Sequence, residues 1–333
     1  MLFQLSPERA QRLSLAALRA RSWLPGAAPA APARAAVNLL GLSFPNRIGL
    51  AAGFDKSARH VDTLANLGFG FIEVGSLTPR AQPGNPLPNV FRLLEDGALI
   101  NRMGFPNEGA AAAVRHLERR RYRGICGVNI GKNRDTPLEE AARDYTACLR
   151  TVYAVADYVA INISSPNTPG LRKLQHAEQL RSLLLELAEV REQLQPIHGK
   201  RVPLLVKLAP DIEDGELETI AVQLRQLPVD GVIATNTTTQ RPVSLRSPAA
   251  AEQGGLSGRP LQPLTLRMVR LLRGWLGAHV PIIGVGGVMS AEDGKDLRAA
   301  GADLLQVFSG LIYRGPALVR ELRQLEPGDR PAP

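Results

Sequence analysis

From Asn46 onward, short aliphatic and β-branched runs alternate with longer segments whose apolar positions recur every three or four residues. Short apolar runs bounded by turn residues predict buried strands, and the longer period predicts helices packed by one face. The predicted strands are Arg47–Leu50, Phe71–Val74, Ile125–Ile130, Tyr158–Ile163, Pro203–Leu208, Gly231–Thr235, Pro281–Val285 and Leu304–Val307. Between and after them the helical pattern covers His60–Leu67, Glu108–Arg121, Leu138–Val155, Ala177–Leu194, Gly215–Leu227, Leu264–Leu276, Ala291–Ala300 and Ala317–Leu325. Eight strand–helix units predict an α/β chain folded as a (β/α)8 TIM-type barrel. A doubly wound sheet is the alternative, but it calls for fewer strands and a clearer switch point. Two insertions rich in Pro and Gly, Leu77–Leu99 and Gln240–Pro263, interrupt the alternation. Long βα loops of a barrel usually build or cover its active site.

The pattern ahead of Asn46 is different. Met1 to Leu24 sets Leu2, Phe3, Leu5, Leu13, Leu15, Leu18, Trp23 and Leu24 among arginines, and Ser6-Pro7-Glu8 resembles a helix start. The Pro/Ala-rich stretch Pro25–Ala33 then ends the helical region. Two readings stand: an N-terminal helix packed on the main domain, or an amphipathic helix lying on a membrane surface with basic flanks. Glu8, Arg9, Arg12, Arg19 and Arg21 break any signal-peptide core, and no stretch is long and apolar enough to span a bilayer, so a cytoplasmic location is expected.

Composition changes this picture little. A chain of 333 residues with 44% hydrophobic and 21% charged residues can bury a large core. Two cysteines, Cys126 and Cys148, give no disulfide framework and fit a reducing compartment as small core residues. The net charge of +9 raises the question of nucleic acid, but the excess arginine is spread over helical segments and aromatics are only 5%. Stacking platforms are therefore scarce. A basic surface serves equally to attract anionic lipid or an anionic substrate.

Barrel enzymes place their chemistry at the C-terminal ends of strands. In order, those ends carry Ala51-Ala52-Gly53 with Lys56 nearby, Gly75-Ser76, Asn129 with Gly131, Asn162 with Ser164-Ser165, Lys207, Thr235-Asn236-Thr237, Gly286-Gly287, and Phe308-Ser309-Gly310. No His/Cys cluster has metal-ligand spacing and no paired acids line the mouth, so neither a metal site nor a glycosidase pair is expected. Amides, hydroxyls and two lysines suit a polar, anionic, heteroatom-rich ligand, such as a flavin with a carboxylated substrate. The glycines after strand seven and the Ser309-Gly310 turn fall where barrels commonly bind phosphate.

Eight ordered segments now carry a resemblance: GLAAGFDK (Gly49–Lys56), GFGFIEVGSLTPRAQPGNP (Gly68–Pro86), LINRMGFPN (Leu99–Asn107), INISSPNTPGLR (Ile161–Arg172), VKLAPD (Val206–Asp211), GVIATNTT (Gly231–Thr238), GGLSGRPL (Gly254–Leu261) and FSGLIYRGP (Phe308–Pro316). From about Leu39 to Arg320 the chain resembles the dihydroorotate dehydrogenase family. Ser165 stands where the soluble class has cysteine, and Met1–Pro45 looks like the helical extension of the membrane-associated, quinone-dependent class. The resemblance implies two parts: residues 1–38 as a helical membrane and quinone-access domain, and residues 39–333 as the catalytic barrel. It also favours the membrane-surface reading of the N-terminus.

What the resemblance implies chemically is oxidation of (S)-dihydroorotate to orotate in pyrimidine biosynthesis. Flavin mononucleotide (FMN) would be the hydride acceptor and a membrane quinone the final oxidant. The implied base is Ser165; a hydroxyl is a poor base at neutral pH, so a relay through Thr168 and water under a closing loop, Ser164–Leu174, is expected. Substrate contacts are implied for Lys56, Asn101, Arg102, Met103, Gly104, Phe105, Asn162, Asn167, Asn236 and Thr237, the amides for the ring and Lys56 for the carboxylate. FMN contacts are implied for Ala52, Gly53, Lys56, Ser76, Asn129, Asn162, Lys207, Thr235, Gly258, Gly287, Phe308 and Ser309. Lys207 would stabilise the negative charge of the reduced flavin. The family often has Thr at the Ser76 position and Tyr at the Phe308 position, so those two contacts depart from its pattern. Peripheral attachment to the cytoplasmic face of the cell membrane, a monomer and no nucleic-acid partner complete the expectation. The rivals are a fumarate- or NAD-linked dihydroorotate dehydrogenase, another FMN barrel oxidoreductase, and a noncatalytic basic barrel.

Overall fold

In the computed structural model, residues 4–21 and 36–325 are described. The predicted connector Pro25–Ala33, with Leu2, Phe3, Trp23 and Leu24, lies outside them. Helix α1 (Pro7–Arg21) comes first, followed by a hairpin of β1 (Val37–Leu39) and β2 (Leu42–Phe44). The alternating region then runs β3 (Ile48–Leu50), α2 (Val61–Ala65), β4 (Phe71–Leu77), β5 (Val90–Leu93), β6 (Ala98–Asn101) and α3 (Ala110–Glu118). It continues through β7 (Ile125–Ile130), α4 (Ala141–Val152), β8 (Tyr158–Asn162), α5 (Ala177–His198), β9 (Leu204–Leu208) and α6 (Asp214–Leu224). Last come β10 (Gly231–Ala234), β11 (Gly255–Gly258), α7 (Gln262–Leu276), β12 (Ile282–Val285), α8 (Ala291–Ala299), β13 (Leu304–Val307), α9 (Ser309–Arg314) and α10 (Pro316–Arg323).

Strands β3, β4, β7, β8, β9, β10, β12 and β13 pair in parallel and close into a barrel. All eight strands expected from the apolar runs are present, each within a few residues of its predicted limits. Two features were not anticipated. The two Pro/Gly-rich insertions are not plain loops: β5, β6 and β11 form a three-stranded antiparallel sheet from both of them. The β1–β2 hairpin packs Phe44 edge-on to Phe71, ring centroids 5.3 Å apart, and closes the bottom of the barrel.

The core has two shells. One lies between strands and helices; the other fills the barrel with Phe71, Ile125, Tyr158, Leu205, Ile233, Ile283 and Leu304. Large rings fit inside because the neighbouring strand carries glycine at the paired position. A Cβ on Gly127 would lie 2.0 Å from the Tyr158 ring, and one on Gly49 would lie 2.3 Å from the Phe71 ring. The apolar filling stops halfway up, where Glu73, Asn129, Tyr158 and Gln306 meet in a buried polar layer. The layers above it form the floor of the mouth.

Candidate active site

The strand ends converge on one cleft. It is lined by Ala51, Ala52, Gly53, Lys56, Ser76, Asn101, Met103, Gly104, Phe105, Asn162, Ser165, Asn167, Lys207, Thr235, Asn236, Thr237, Gly258, Gly287, Phe308 and Ser309, with Ser257, Gly286 and Gln306 among the others. Of the residues expected to contact substrate or flavin, two fall outside that lining. Asn129 lies just beneath it, wholly buried. Arg102 is a correction: its guanidinium turns away from the cleft to Glu252 at 2.6 Å and sits 4.5 Å from the centroid of the Phe91 ring. A long cation next to an accessible carboxylate and an aromatic face is drawn outward, leaving only its backbone beside the site.

The upper wall is the segment Asn101–Asn107, which the insertion before it stitches in place. Asn85 donates to the Arg102 carbonyl at 2.8 Å, Gln82 to the Gly104 carbonyl at 2.9 Å, and Asn107 to the Phe105 carbonyl at 2.9 Å. Phe105 takes a positive φ of 54° and its ring lies over Gly131, where a Cβ would come within 3.0 Å. A side chain at either neighbouring glycine, 104 or 131, would displace that wall.

The opposite wall holds a chain of amides and hydroxyls. Asn162 donates to Ser76 Oγ at 2.9 Å, and its own Oδ1 accepts from Ser164 Oγ at 3.1 Å and Asn236 Nδ2 at 3.2 Å. Asn167 donates to Asn101 Oδ1 at 3.2 Å, bridging the two walls. Ser165 is almost fully buried, and its Oγ accepts the Asn167 N–H at 3.3 Å. The base of its loop is tied down by Arg172, which donates to Ser164 O, to Thr237 O and to Asp211 at 2.6 Å. Ser257 and Ser309 share a 2.8 Å hydrogen bond near Gly258 and Gly287.

Three groups have chemistry left over. Lys207 is 6% exposed, and no hydrogen-bond acceptor holds its Nζ among the described residues. Burial pulls its pKa down, and the charge of Glu73 opposes that pull. Thr237 Oγ1 and Gln306 Oε1 are buried without hydrogen-bond partners among the described residues. A buried ammonium and unpaired polar atoms are costly unless a ligand meets them. They fit a flavin-sized anionic heterocycle. Among the described residues no group of three or more His, Cys, Asp or Glu is gathered as metal ligands.

Beside this cleft opens a second, mainly apolar cavity of about 630 Å³. Its walls are Pro7, Ala10, Gln11, Ser14, Ala17 and Leu18 of α1, with Phe54, Leu67, Val90, Leu99, Leu311 and Ile312 among those opposite. Phe308, Lys56, Asn101 and Met103 line both spaces. Helix α1 is anchored by Leu15 in the core and by Gln11, which donates to the Phe54 carbonyl at 2.9 Å. No helix among the described residues is long and apolar enough to cross a membrane.

Residues that pattern reading passed over are Glu73, Tyr158 and Gln306. Each sits in a predicted strand, and a Glu inside the apolar run FIEVG was the one visible signal.

A closed parallel barrel whose strand ends gather amides, hydroxyls and two lysines around one cleft is a (β/α)8 barrel enzyme built for a large anionic ligand. The family model described as dihydroorotate dehydrogenase matches residues 34–326. The chain is 52% identical to dihydroorotate dehydrogenase (quinone) of Stenotrophomonas maltophilia, over 96% of this chain and 92% of that one. It is also 52% identical to the protein of the same name in Halorhodospira halophila, over 96% and 94%. The crystal structure of ligand-free DHODH from Eimeria tenella superposes with a TM-score of 0.88 at 40% identity, covering 95% of this chain and 93% of that one. The chain belongs to the dihydroorotate dehydrogenase family.

Proposed function

We propose that this protein oxidises (S)-dihydroorotate to orotate in pyrimidine biosynthesis, with FMN bound in the cleft and a membrane quinone as final oxidant. The observation that carries the reading is the meeting of Ser165, Lys56, four asparagines and the buried Lys207 in a single cleft that adjoins an apolar cavity. The quinone-dependent relatives support the oxidant.

Ser165 takes the C5 proton of the substrate. The Asn167 N–H aimed at its Oγ stabilises the negative charge that grows there as the hydroxyl proton leaves. Thr168, buried in the same loop, is the next acceptor toward water. Asn101, Asn162, Asn167, Asn236 and Thr237 hold the ring amides, each amide able to donate and accept at once. Lys56 meets the carboxylate. Met103, Gly104 and Phe105 cover the reacting carbons and keep water out. A bound flavin would supply hydride acceptance and electron transfer to quinone. Ala52, Gly53, Ser76, Asn129, Thr235 and Phe308 would hold its ring and ribityl chain, and Gly258, Gly287 and Ser309 its phosphate. Lys207 would balance the charge of the reduced form.

Residues 1–38 serve as the membrane and quinone-access part, ahead of the catalytic barrel at 39–333. Exposed Leu13, at 53%, is flanked by exposed Arg9, Arg12 and Arg19, a combination suited to resting on anionic lipid. Each basic residue adds roughly 1 kcal/mol near such a surface. The protein would therefore sit as a peripheral monomer on the cytoplasmic face of the cell membrane.

The test is anaerobic mixing of the purified protein with dihydroorotate, then with a short-chain quinone, while flavin absorbance is followed. Bleaching by substrate and recovery with quinone, but not with fumarate or NAD, is the expected result. Bleaching without quinone recovery would overturn the oxidant, and failure to bind FMN at all would overturn the whole reading.

A further inference from the structure

Glu73 is a carboxylate with no exposed surface in the middle of β4, pointing into the barrel. It accepts three hydrogen bonds from three other strands: Asn129 Nδ2 at 2.9 Å on Oε1, and Tyr158 Oη at 2.9 Å and Gln306 Nε2 at 2.7 Å on Oε2. Four interior positions are thus given over to one buried polar group. A barrel filled with aliphatic residues there would be at least as stable, because replacing buried charges by apolar side chains is often neutral or better. Stability alone does not account for this layer, and no catalytic step above uses it.

Its position suggests two tasks. First, a carboxylate can only accept, so the Asn129 amide must turn its NH2 toward Glu73 and its Oδ1 toward the Ser76 hydroxyl, which donates to it. With its proton committed, Ser76 Oγ accepts from Asn162 Nδ2, and Asn162 Oδ1 is left facing Ser164 and Asn236. The direction of every bond in this chain follows from the anion at its buried end. Second, Gln306, which donates to Glu73, lines the same cleft as Lys207, so the carboxylate lies one residue behind the floor that Lys207 shares, and its charge opposes the effect of burial on that lysine. Of the other groups nearby, Lys56 on the β3–α2 loop lines the same cleft and carries like charge, and Tyr158 on β8 is a buried phenol hydrogen-bonded to Glu73 itself.

We propose that Glu73 is a positioning residue of the flavin site, the buried anion that directs the Asn129–Ser76–Asn162 chain and backs Lys207 with opposite charge. The inference rests on the flavin reading. Removing the carboxylate charge leaves burial to act on Lys207 unopposed, so the lysine loses its proton at lower pH.

The experiment compares native protein, Glu73→Gln, Lys207→Gln and the double variant. FMN affinity is followed by fluorescence quenching across pH, and the midpoint potential of the bound flavin is measured on the same samples. Glu73→Gln is expected to weaken FMN binding about tenfold and to move the alkaline fall in affinity and potential down by about one pH unit or more. In the Lys207→Gln background the same change should move neither pH profile. A native pH profile in Glu73→Gln, or a displacement that persists without Lys207, would overturn the proposal. Should Glu73→Gln fail to fold, NMR of the lysine side chains in native protein decides, with Lys207 assigned by its loss in Lys207→Gln. An ammonium at neutral pH is expected, and a neutral amine there would refute the proposal. A native protein that takes up no FMN would instead defeat the flavin reading, and it would do so before any variant is made.

Discussion

At the scale of single residues, the site depends on side chains that are present and on others that are missing. Ser165→Ala keeps the cleft and its amides but removes the group expected to take the proton. The variant should retain FMN and bind substrate while flavin reduction slows by about 10²-fold or more. Near-normal reduction in stopped flow would take Ser165 out of that role. Lys207 carries the pH dependence. Its pKa is lowered by burial, against the opposing charge of Glu73, so its ammonium is lost at lower pH than that of an exposed lysine. Flavin reduction should therefore decline as pH rises, at lower pH than the ordinary lysine range, and Lys207→Met should abolish that limb. Gly127 matters by absence. Gly127→Ala drives a methyl into the Tyr158 ring, which cannot swing aside without breaking its bond to Glu73. A loss of about 1–3 kcal/mol in denaturant unfolding is expected. Ser165, Lys56, Lys207, Asn162 and Asn236 were legible because they sit at or near predicted strand ends, whereas Asn101 and Asn167 came only from the resemblance. Glu73 and Gln306 were not, because an apolar run buried on both faces hides which alternate positions look inward.

Among the elements, the loop after β8 and helix α1 decide the most. Arg172 joins the start of that loop to the ends of β9 and β10 through Ser164 O, Asp211 and Thr237 O, and Asp211 also accepts from Thr239 N at 3.0 Å. Arg172→Met would strand a largely buried carboxylate and release the segment that carries Ser165. It should cost about 2 kcal/mol, below the figure for a fully buried pair because both side chains keep some solvent. It should also slow flavin reduction with FMN affinity unchanged; equal losses in both would show general unfolding instead. Helix α1 walls the apolar cavity. A protein lacking Met1–Pro32 should still be bleached by dihydroorotate but should turn over a long-tailed quinone far more slowly. Unchanged quinone kinetics would remove α1 from quinone access. The helix itself was readable from its cap and its spaced leucines. The sheet of β5, β6 and β11 was not, since β11 pairs with β6 across roughly 150 residues of chain, and turn-rich insertions give no local sign of such a partner.

The whole molecule is a closed barrel in which apolar layers below, a polar layer in the middle and an open mouth above follow one another along the axis. The two cysteines belong to the packed shell between strands and helices. Burial pushes the Cys126 thiol up to about 12 and Cys148 higher still. Little thiolate exists in the folded protein at pH 8, so a thiol reagent should react slowly with native protein and quickly after denaturation.

Local chemistry determined the eight strands, the helices between them and the residue types at each strand end, because period, caps and turns act over a few neighbouring residues. Only the tertiary structure decided that Arg102 faces outward, that two distant insertions share one sheet, and that three other strands direct polar groups at Glu73. Those outcomes depend on which residues closure of the barrel brings opposite one another, and short-range pattern carries no record of that.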